Sequence, residues 1–199
     1  MCAKKWLAAA SALLAAVSFG MTCSAADAPT AYKWIDIQEH TVSFFEGDGQ
    51  KSASQPIRSR DVTIFINETS DLCVCFFDPD GIYRIFTLGK QTSLEMSGIL
   101  DSLTILNGGS DSRFAPDIHL TSSGDVHTLT ASSPGKVDIW GHVSTLNVMS
   151  DAQTVSIAGQ VDTLNIVSAK EITIEKSAEI GAYNILDASV RISEFVHAV

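Results

Sequence analysis

The sequence predicts an all-β protein in which residues 91–199 form a parallel, right-handed β-helix of about five turns. The main observation is a repeat, V-x-I followed by V-x-x-L-x-I, whose second segment begins at Val143, Val161 and Ile180, 18 and 19 residues apart. Internal repeats of this kind indicate stacked repeat architectures. Turns this short cannot hold a helix and a strand, so they predict short strands wound into a coil. In addition, residues 27–199 show no convincing amphipathic helix pattern.

Equivalent residues of successive turns should stack in columns, where each buried aliphatic side chain contributes roughly 1.5–3 kcal/mol. One apolar column contains Leu103, Leu129, Leu146, Leu164 and Tyr183; a second contains Ile105, Ala131, Val148, Ile166 and Ile185. A polar ladder contains Asn147, Asn165 and Asn184, whose amides can hydrogen-bond between turns. The first strands predict a column of Leu120, Val137, Val155, Ile172 and Val190. Gly98, Gly124, Gly141 and Gly159 share one corner, where we expect glycine to supply unusual backbone angles.

Residues 27–90 predict an irregular β cap that precedes the coil. Apolar and β-branched runs at 32–37, 41–45, 61–66, 72–77 and 82–88 predict strands. Asp78, Pro79 and Gly81 predict a turn between the last two.

Residues 1–26 have the features of a secretory signal peptide. Lys4 and Lys5 precede a largely apolar stretch of 14 residues, and small residues lead to a predicted cleavage after Ala26. Cys23 leaves a lipoprotein alternative open, although Met21 and Thr22 before it match that signal poorly. The predicted location is periplasmic, cell-surface or extracellular, with no transmembrane segment in the mature chain.

The 199-residue chain has a net charge of −10, and cleavage would remove two lysines and no acidic residue. An acidic surface of this kind argues against nucleic acid as a partner. In the mature chain Cys73 and Cys75 lie two residues apart on one face of a predicted strand. A disulfide at this spacing is geometrically awkward, which leaves buried thiols or a redox or metal-binding pair as alternatives.

Two groups of polar residues are candidates for binding. The interval between Leu100 and Val126 is longer than other turns, which places a loop near residues 107–117 that carries Asp111, Arg113 and Asp117. Insertions in repeat proteins often form the binding face, although a tolerated excursion is the simpler interpretation. Asp125 and His142 share an outward column on neighbouring turns and form the second group.

No catalytic residue, metal ligand or cofactor is predicted. His127, Ser144 and Asp162 resemble a nucleophilic triad when taken in turn order. However, side chains stacked on a flat face point outward in parallel, and the sequence indicates no oxyanion donors beside them. His119 has no evident partner and is expected to be a surface residue.

The segments 139–148 and 157–166, which read I-x-G-x-V-x-x-L-x-V and I-x-G-x-V-x-x-L-x-I, resemble the turns of bactofilins. They are also similar to the β-helical head domains of bacterial exported adhesins, and the likeness covers about residues 94–192. Bactofilins are cytoplasmic filament formers, so a signal peptide is a departure from that family. The resemblance implies self-association through the open ends of the coil.

The sequence therefore predicts an exported, non-enzymatic β-helix protein with a structural or adhesion-type role. Its expected partners are other copies of itself or a surface glycan or protein. The alternative is a polysaccharide-active β-helix enzyme, either a lyase or a hydrolase. Enzymes of that kind would use a carboxylate cluster for acid–base work.

Overall fold

The computed structural model describes residues 32–47, 49–67, 69–77, 83–90, 93–106, 117–186 and 190–194. These residues form thirteen strands and no helix, which confirms the all-β class. The strands are β1 (Tyr32–Gln38), β2 (Thr41–Glu46), β3 (Lys51–Pro56), β4 (Asp61–Ile66), β5 (Leu72–Phe77), β6 (Tyr83–Thr87), β7 (Ser93–Leu106), β8 (Asp117–Ser132), β9 (Lys136–Ile139), β10 (His142–Ile157), β11 (Gln160–Ile174), β12 (Glu179–Ile185) and β13 (Arg191–Glu194). The predicted signal peptide and most of the 107–117 loop lie outside the described residues.

The long strands of the second half pair in parallel. β7 pairs with β8, β8 with β10, β10 with β11, and β11 with β12. The short β9 lies between β8 and the second half of β10, and β13 pairs with the second half of β11. Parallel neighbours that follow one another in sequence require crossover connections rather than hairpins.

The register of the second segment agrees with the alignment of the repeat. Val143 pairs with Val126 and Val161, and Leu146 pairs with Leu129 and Leu164. All six of these side chains are fully buried. They belong to one hydrophobic core that runs from β1 to the end of β11.

The register predicted for the first segment is wrong at both ends by two residues. Val137 pairs with Ile118 instead of Leu120, and Ile172 pairs with Ile192 instead of Val190. A shift of two keeps the same side chains on the same face of a strand. For this reason the apolar pattern alone cannot distinguish the two registers.

The asparagine ladder is continuous. The Nδ2 of Asn165 donates to the Oδ1 of Asn147, and the Nδ2 of Asn184 donates to the Oδ1 of Asn165, both at 2.8 Å. The Nδ2 of Asn147 reaches the Oγ1 of Thr130 at 3.4 Å. Each amide thus satisfies its neighbour along the stack.

Three of the four glycines predicted at the corner have ordinary backbone angles, so space rather than φ restricts them. Of the four, only Gly98 has a positive φ, at +93°. A Cβ on Gly141 would lie 2.1 Å from the carbonyl oxygen of Gly124, and one on Gly159 would lie 2.1 Å from that of Gly141. Adjacent backbones therefore approach too closely at this corner for any side chain, which corrects the expectation from sequence.

The N-terminal strands combine both kinds of pairing. β1 and β4 pair in parallel with the first and second halves of β7. The remaining strands form antiparallel pairs, β2 with β1 and β3, and β5 with β4 and β6. The N-terminal strands β1 and β4 therefore pair with β7 in addition to its pairing with β8.

Cys73 and Cys75 are buried in a small cluster with Phe65, on the opposite face of β5 from the main core. The strand is apolar on both faces, since Leu72, Val74 and Phe76 enter that core. Desolvation by burial, with a smaller contribution from the Cys73 charge, raises the pKa of Cys75 to about 12.

Because only a thiolate is nucleophilic, we expect Cys75 to resist alkylation in the native protein up to about pH 9 and to react after unfolding. Iodoacetamide labelling followed by peptide mass spectrometry, with and without urea, measures this difference. Equal labelling of native and unfolded protein would show that the thiol is accessible.

Candidate functional site

A cluster of hydrogen-bonded polar side chains lies on the outward face of β8, β10 and β11. The Nδ1 of His142 lies 2.8 Å from the Oδ1 of Asp125, and its Nε2 lies 3.1 Å from the Oδ2 of Asp162. The Nε2 of Gln160 donates to the other oxygen of Asp162 at 2.8 Å. These four residues are called the His142 cluster below.

Strand register produces this cluster. His142 pairs with Asp125 on one side and with Gln160 on the other. Asp162 is two residues beyond Gln160 and therefore lies on the same outward face. The imidazole is placed between two carboxylates and uses both of its nitrogens.

The cluster stabilises the charged forms of His142 and Asp162. The pKa of His142 is raised from its usual value of 6.5, chiefly by the hydrogen bond to Asp125, with further contributions from Asp162 and with partial desolvation acting in the opposite direction. The pKa of Asp162 is lowered from 3.8, first by the hydrogen bond from Gln160 and then by His142. His142 side-chain exposure is 34 %, so solvent weakens these effects.

We expect the stabilisation from His142 to depend on pH. A histidine with a raised folded pKa stabilises fully below about pH 6.5, and this contribution disappears as pH rises through the folded pKa. The lowered pKa of Asp162 adds stability above its unfolded value that is lost in stronger acid. The mutation His142→Gln should therefore lower the Tm more at about pH 5.5 than at about pH 8.5.

Thermal melts of both proteins at the two pH values measure this difference. Asp101→Asn, which removes a carboxylate that pairs with Arg60 instead, is the matched control. An equal loss of Tm at both pH values in the His142 variant would contradict the role of its charge.

A groove of about 660 Å³ lies where the successive strands β9, β10 and β11 end. It is lined by Lys136, Asp138 and Trp140, by Ser156 and Ala158 of the next segment, and by residues 175–177. The Trp140 side chain is one of the most exposed large apolar groups among the described residues, with 63 % of its surface accessible. This surface is called the Trp140 groove below.

Asp138 is held in place on one side of the groove. It contacts the Nδ1 of His119 at 2.8 Å and the Nζ of Lys136 at 2.7 Å, and its side chain is only 9 % exposed. The backbone N–H of Lys136 donates to the Oδ1 of Asp117 at 2.8 Å. A buried carboxylate that contacts both a histidine and a lysine side chain is satisfied and fixed in orientation.

The predicted binding residues separate into different places. Asp125 and His142 come together in the His142 cluster, whereas Asp117 supports β9 through the backbone of Lys136. Asp111 and Arg113 lie outside the described residues. Of the three residues with a triad-like order, Asp162 contacts His142, and no hydrogen bond among the described residues joins His127 to Ser144.

The expectation that His119 is partnerless is wrong, and its cause is the register error. In the predicted register His119 lies beside Lys136, but in the structure it pairs with Asp138. Trp140 was also missed as a site residue. Its position in the repeat is outward, where a large aromatic side chain is a usable signal.

Within the described residues, no group of three or more histidine, cysteine, aspartate or glutamate side chains is arranged to hold a metal ion. The same residues include no helix with the length and hydrophobicity required to cross a bilayer. No family model matches the chain, and no curated protein or solved structure shows significant similarity to it.

Proposed function

We propose that this chain is an exported, non-enzymatic β-helix protein that displays a binding surface at the cell envelope and associates with itself. In this proposal residues 91–199 wind as a right-handed coil of about five turns. The in-register parallel pairing of β7, β8, β10, β11 and β12 supports the coil. The resemblance to bactofilins and adhesin heads adds self-association and surface display.

The proposal rests on one observation, which is that the apolar columns are buried at one end and partly exposed at the other. Leu164 is fully buried, whereas Tyr183, its partner on β12, is 43 % exposed. Ile166 is likewise buried, whereas its partner Ile185 is 47 % exposed, and the adjacent Leu186 is 77 % exposed. Two core columns therefore end in a partly uncovered apolar surface.

The opposite end is covered. Leu103 and Ile105 of β7 are fully buried, and β4 pairs with this part of the strand. β1 pairs with the first half of β7, and the described strands β2 and β3 continue outward from β1 in antiparallel order. One end thus carries a cap, and the other presents core-type side chains and the backbone edge of β12.

An open surface at one end favours a closed dimer rather than a filament. Filaments require two different complementary surfaces, whereas a twofold dimer uses the same surface twice. We propose that two copies meet through β12, which buries Tyr183, Ile185 and Leu186 of both.

Sedimentation velocity over a wide concentration range tests this arrangement. The native protein should form a dimer, and the double mutant Tyr183→Lys, Ile185→Lys should be monomeric at the same concentrations. The control is Met149→Lys, Val167→Lys, which places the same charges at positions of similar exposure, 44 % and 41 %. A strict monomer would refute self-association, and long filaments would refute the single open end.

Export is tested separately. Expression in a bacterial host and N-terminal sequencing of the mature protein should give Asp27 as the first residue. A lipid-modified Cys23 would establish the lipoprotein alternative, and an unprocessed cytoplasmic chain would refute export.

The His142 cluster favours a second candidate, acid–base cleavage of a polysaccharide. Its imidazole contacts two carboxylates, and such groups can transfer protons to and from a glycosidic oxygen. Incubation with soluble glycans followed by product analysis decides between the candidates. Turnover by the native protein that disappears in Asp125→Ala, His142→Ala or Asp162→Ala would replace the non-enzymatic proposal.

A further inference from the structure

The two tryptophans of the described chain have different environments. Trp34 stacks on Phe45 with ring centroids 4.2 Å apart, and its indole N–H donates to the Oγ of Ser97 at 2.9 Å. Trp140 is 63 % exposed, and its indole N–H donates to no side chain among the described residues. Most of the surface of Trp140 is therefore accessible to a ligand.

The groove beside Trp140 arises from a change in side-chain size along one column. Ala158 follows Trp140 in the next segment, since its backbone N–H donates to the carbonyl of Ile139 at 2.8 Å. Glu175 follows Ala158 in the same way through the carbonyl of Ile157. A small side chain between two large ones leaves a gap, and Trp140 forms one wall of it.

The walls combine an aromatic face with groups that donate and accept hydrogen bonds. Asp138 and Lys136 hold each other on the side of Trp140, and the hydroxyl of Ser177 is positioned by its bond to the carbonyl of Ala158 at 2.9 Å. Groups fixed before binding lose little entropy when a ligand arrives. A mixture of apolar and polar surface suits a ligand that has both.

The charged residues of the groove restrict the class of ligand that can bind there. The groove lining contains two lysines, Lys136 and Lys176, and two carboxylates, Asp138 and Glu175, so neither sign is in excess. The whole chain has a net charge of −10, which repels polyanions at long range. The ligand should therefore be electrically neutral, rich in hydroxyl groups and apolar on one face.

We propose that the Trp140 groove binds a neutral glycan through one hexopyranose ring stacked on the indole of Trp140. The axial C–H bonds of such a ring form an apolar face with a slight positive charge, which complements the negative face of the indole. Its equatorial hydroxyls would then meet the polar walls of the groove. The inference rests on the proposed display function and names the ligand class that the surface takes.

The test uses cellohexaose and chitohexaose, two neutral β-linked oligosaccharides with axial C–H faces, and isothermal titration calorimetry. At least one of them should bind the native protein, and Trp140→Ala should weaken binding at least tenfold. Trp140→Tyr should retain part of the affinity. Ala158→Gln, which keeps Trp140 but fills the gap beside it, should also weaken binding.

Tyr183→Lys, Ile185→Lys is the control variant because it alters the proposed dimer surface and leaves the Trp140 groove unchanged. It should bind glycan with the native intrinsic affinity, and Trp140→Ala should keep the native oligomeric state. The two variants therefore show separately whether the protein fails to dimerise and whether it fails to bind glycan.

Three outcomes would overturn the glycan inference. The first is that neither oligosaccharide binds the native protein. The second is that both Trp140→Ala and Ala158→Gln bind as tightly as the native protein. The third is that the protein binds only an anionic polymer such as heparin, or only a peptide, in a Trp140-dependent manner.

Discussion

Replacement of Gly141 by alanine is expected to destabilise the protein by at least about 3 kcal/mol, the upper end of the usual cost of overpacking. The new Cβ would lie 2.1 Å from the carbonyl oxygen of Gly124 and 2.6 Å from that of Thr121. Both atoms belong to the backbone, so no side-chain rotation can relieve the clash. The neighbouring strands would have to separate at the corner and lose part of their pairing.

Urea denaturation followed by circular dichroism measures this loss. Gly47→Ala is the matched control, because the atoms nearest to its Cβ would belong to the flexible side chain of Lys33, the first at 3.3 Å. The control should change the free energy of unfolding by less than about 0.5 kcal/mol. Equal midpoints for Gly141→Ala and the native protein would contradict the close backbone approach.

The second large effect is expected for Leu146→Ala, which should lower the free energy of unfolding by about 2–5 kcal/mol. Leu146 is fully buried and lies between Leu129 and Leu164, which are fully buried as well. Alanine would leave a cavity in the middle of a stack whose backbone spacing is set by strand pairing on both sides. The surroundings can therefore close the gap only partly.

The same denaturation experiment on Met149→Ala supplies the comparison. Met149 lies in the same strand, but 44 % of its surface is exposed, so its truncation should cost less than about 1 kcal/mol. If both substitutions lowered the free energy of unfolding by similar amounts, the buried leucine column would not contribute more to stability than the exposed Met149.

The proposed functions use different parts of one molecule. The dimer surface lies at β12, the Trp140 groove is formed where β9, β10 and β11 end, and the His142 cluster lies on β8, β10 and β11. A dimer through β12 would present two copies of the groove. Two weak glycan sites on one particle bind a repetitive surface with higher overall affinity than either site alone.

The sequence by itself determined the all-β class and the stacking of the second segment. Val126, Val143 and Val161 follow each other in the repeat, and the same residues pair in the structure. Leucine and asparagine columns follow from this register, because side chains in equivalent positions of parallel strands lie next to each other. Burial of one face determines which alternate side chains of each strand point inward, and the repeat determines which residues of neighbouring strands pair.

Only the tertiary structure decided the features that depend on which atoms meet across strands. The pairing of Ile118 with Val137 differs from the expected one by two residues, a shift that leaves the apolar pattern unchanged but brings His119 to Asp138. The contact of His142 with Asp162 joins positions two residues apart in the repeat, which no column predicts. The gap beside Trp140 exists because Ala158 lies next to it, and a sequence pattern does not measure such a difference in side-chain volume between neighbouring strands.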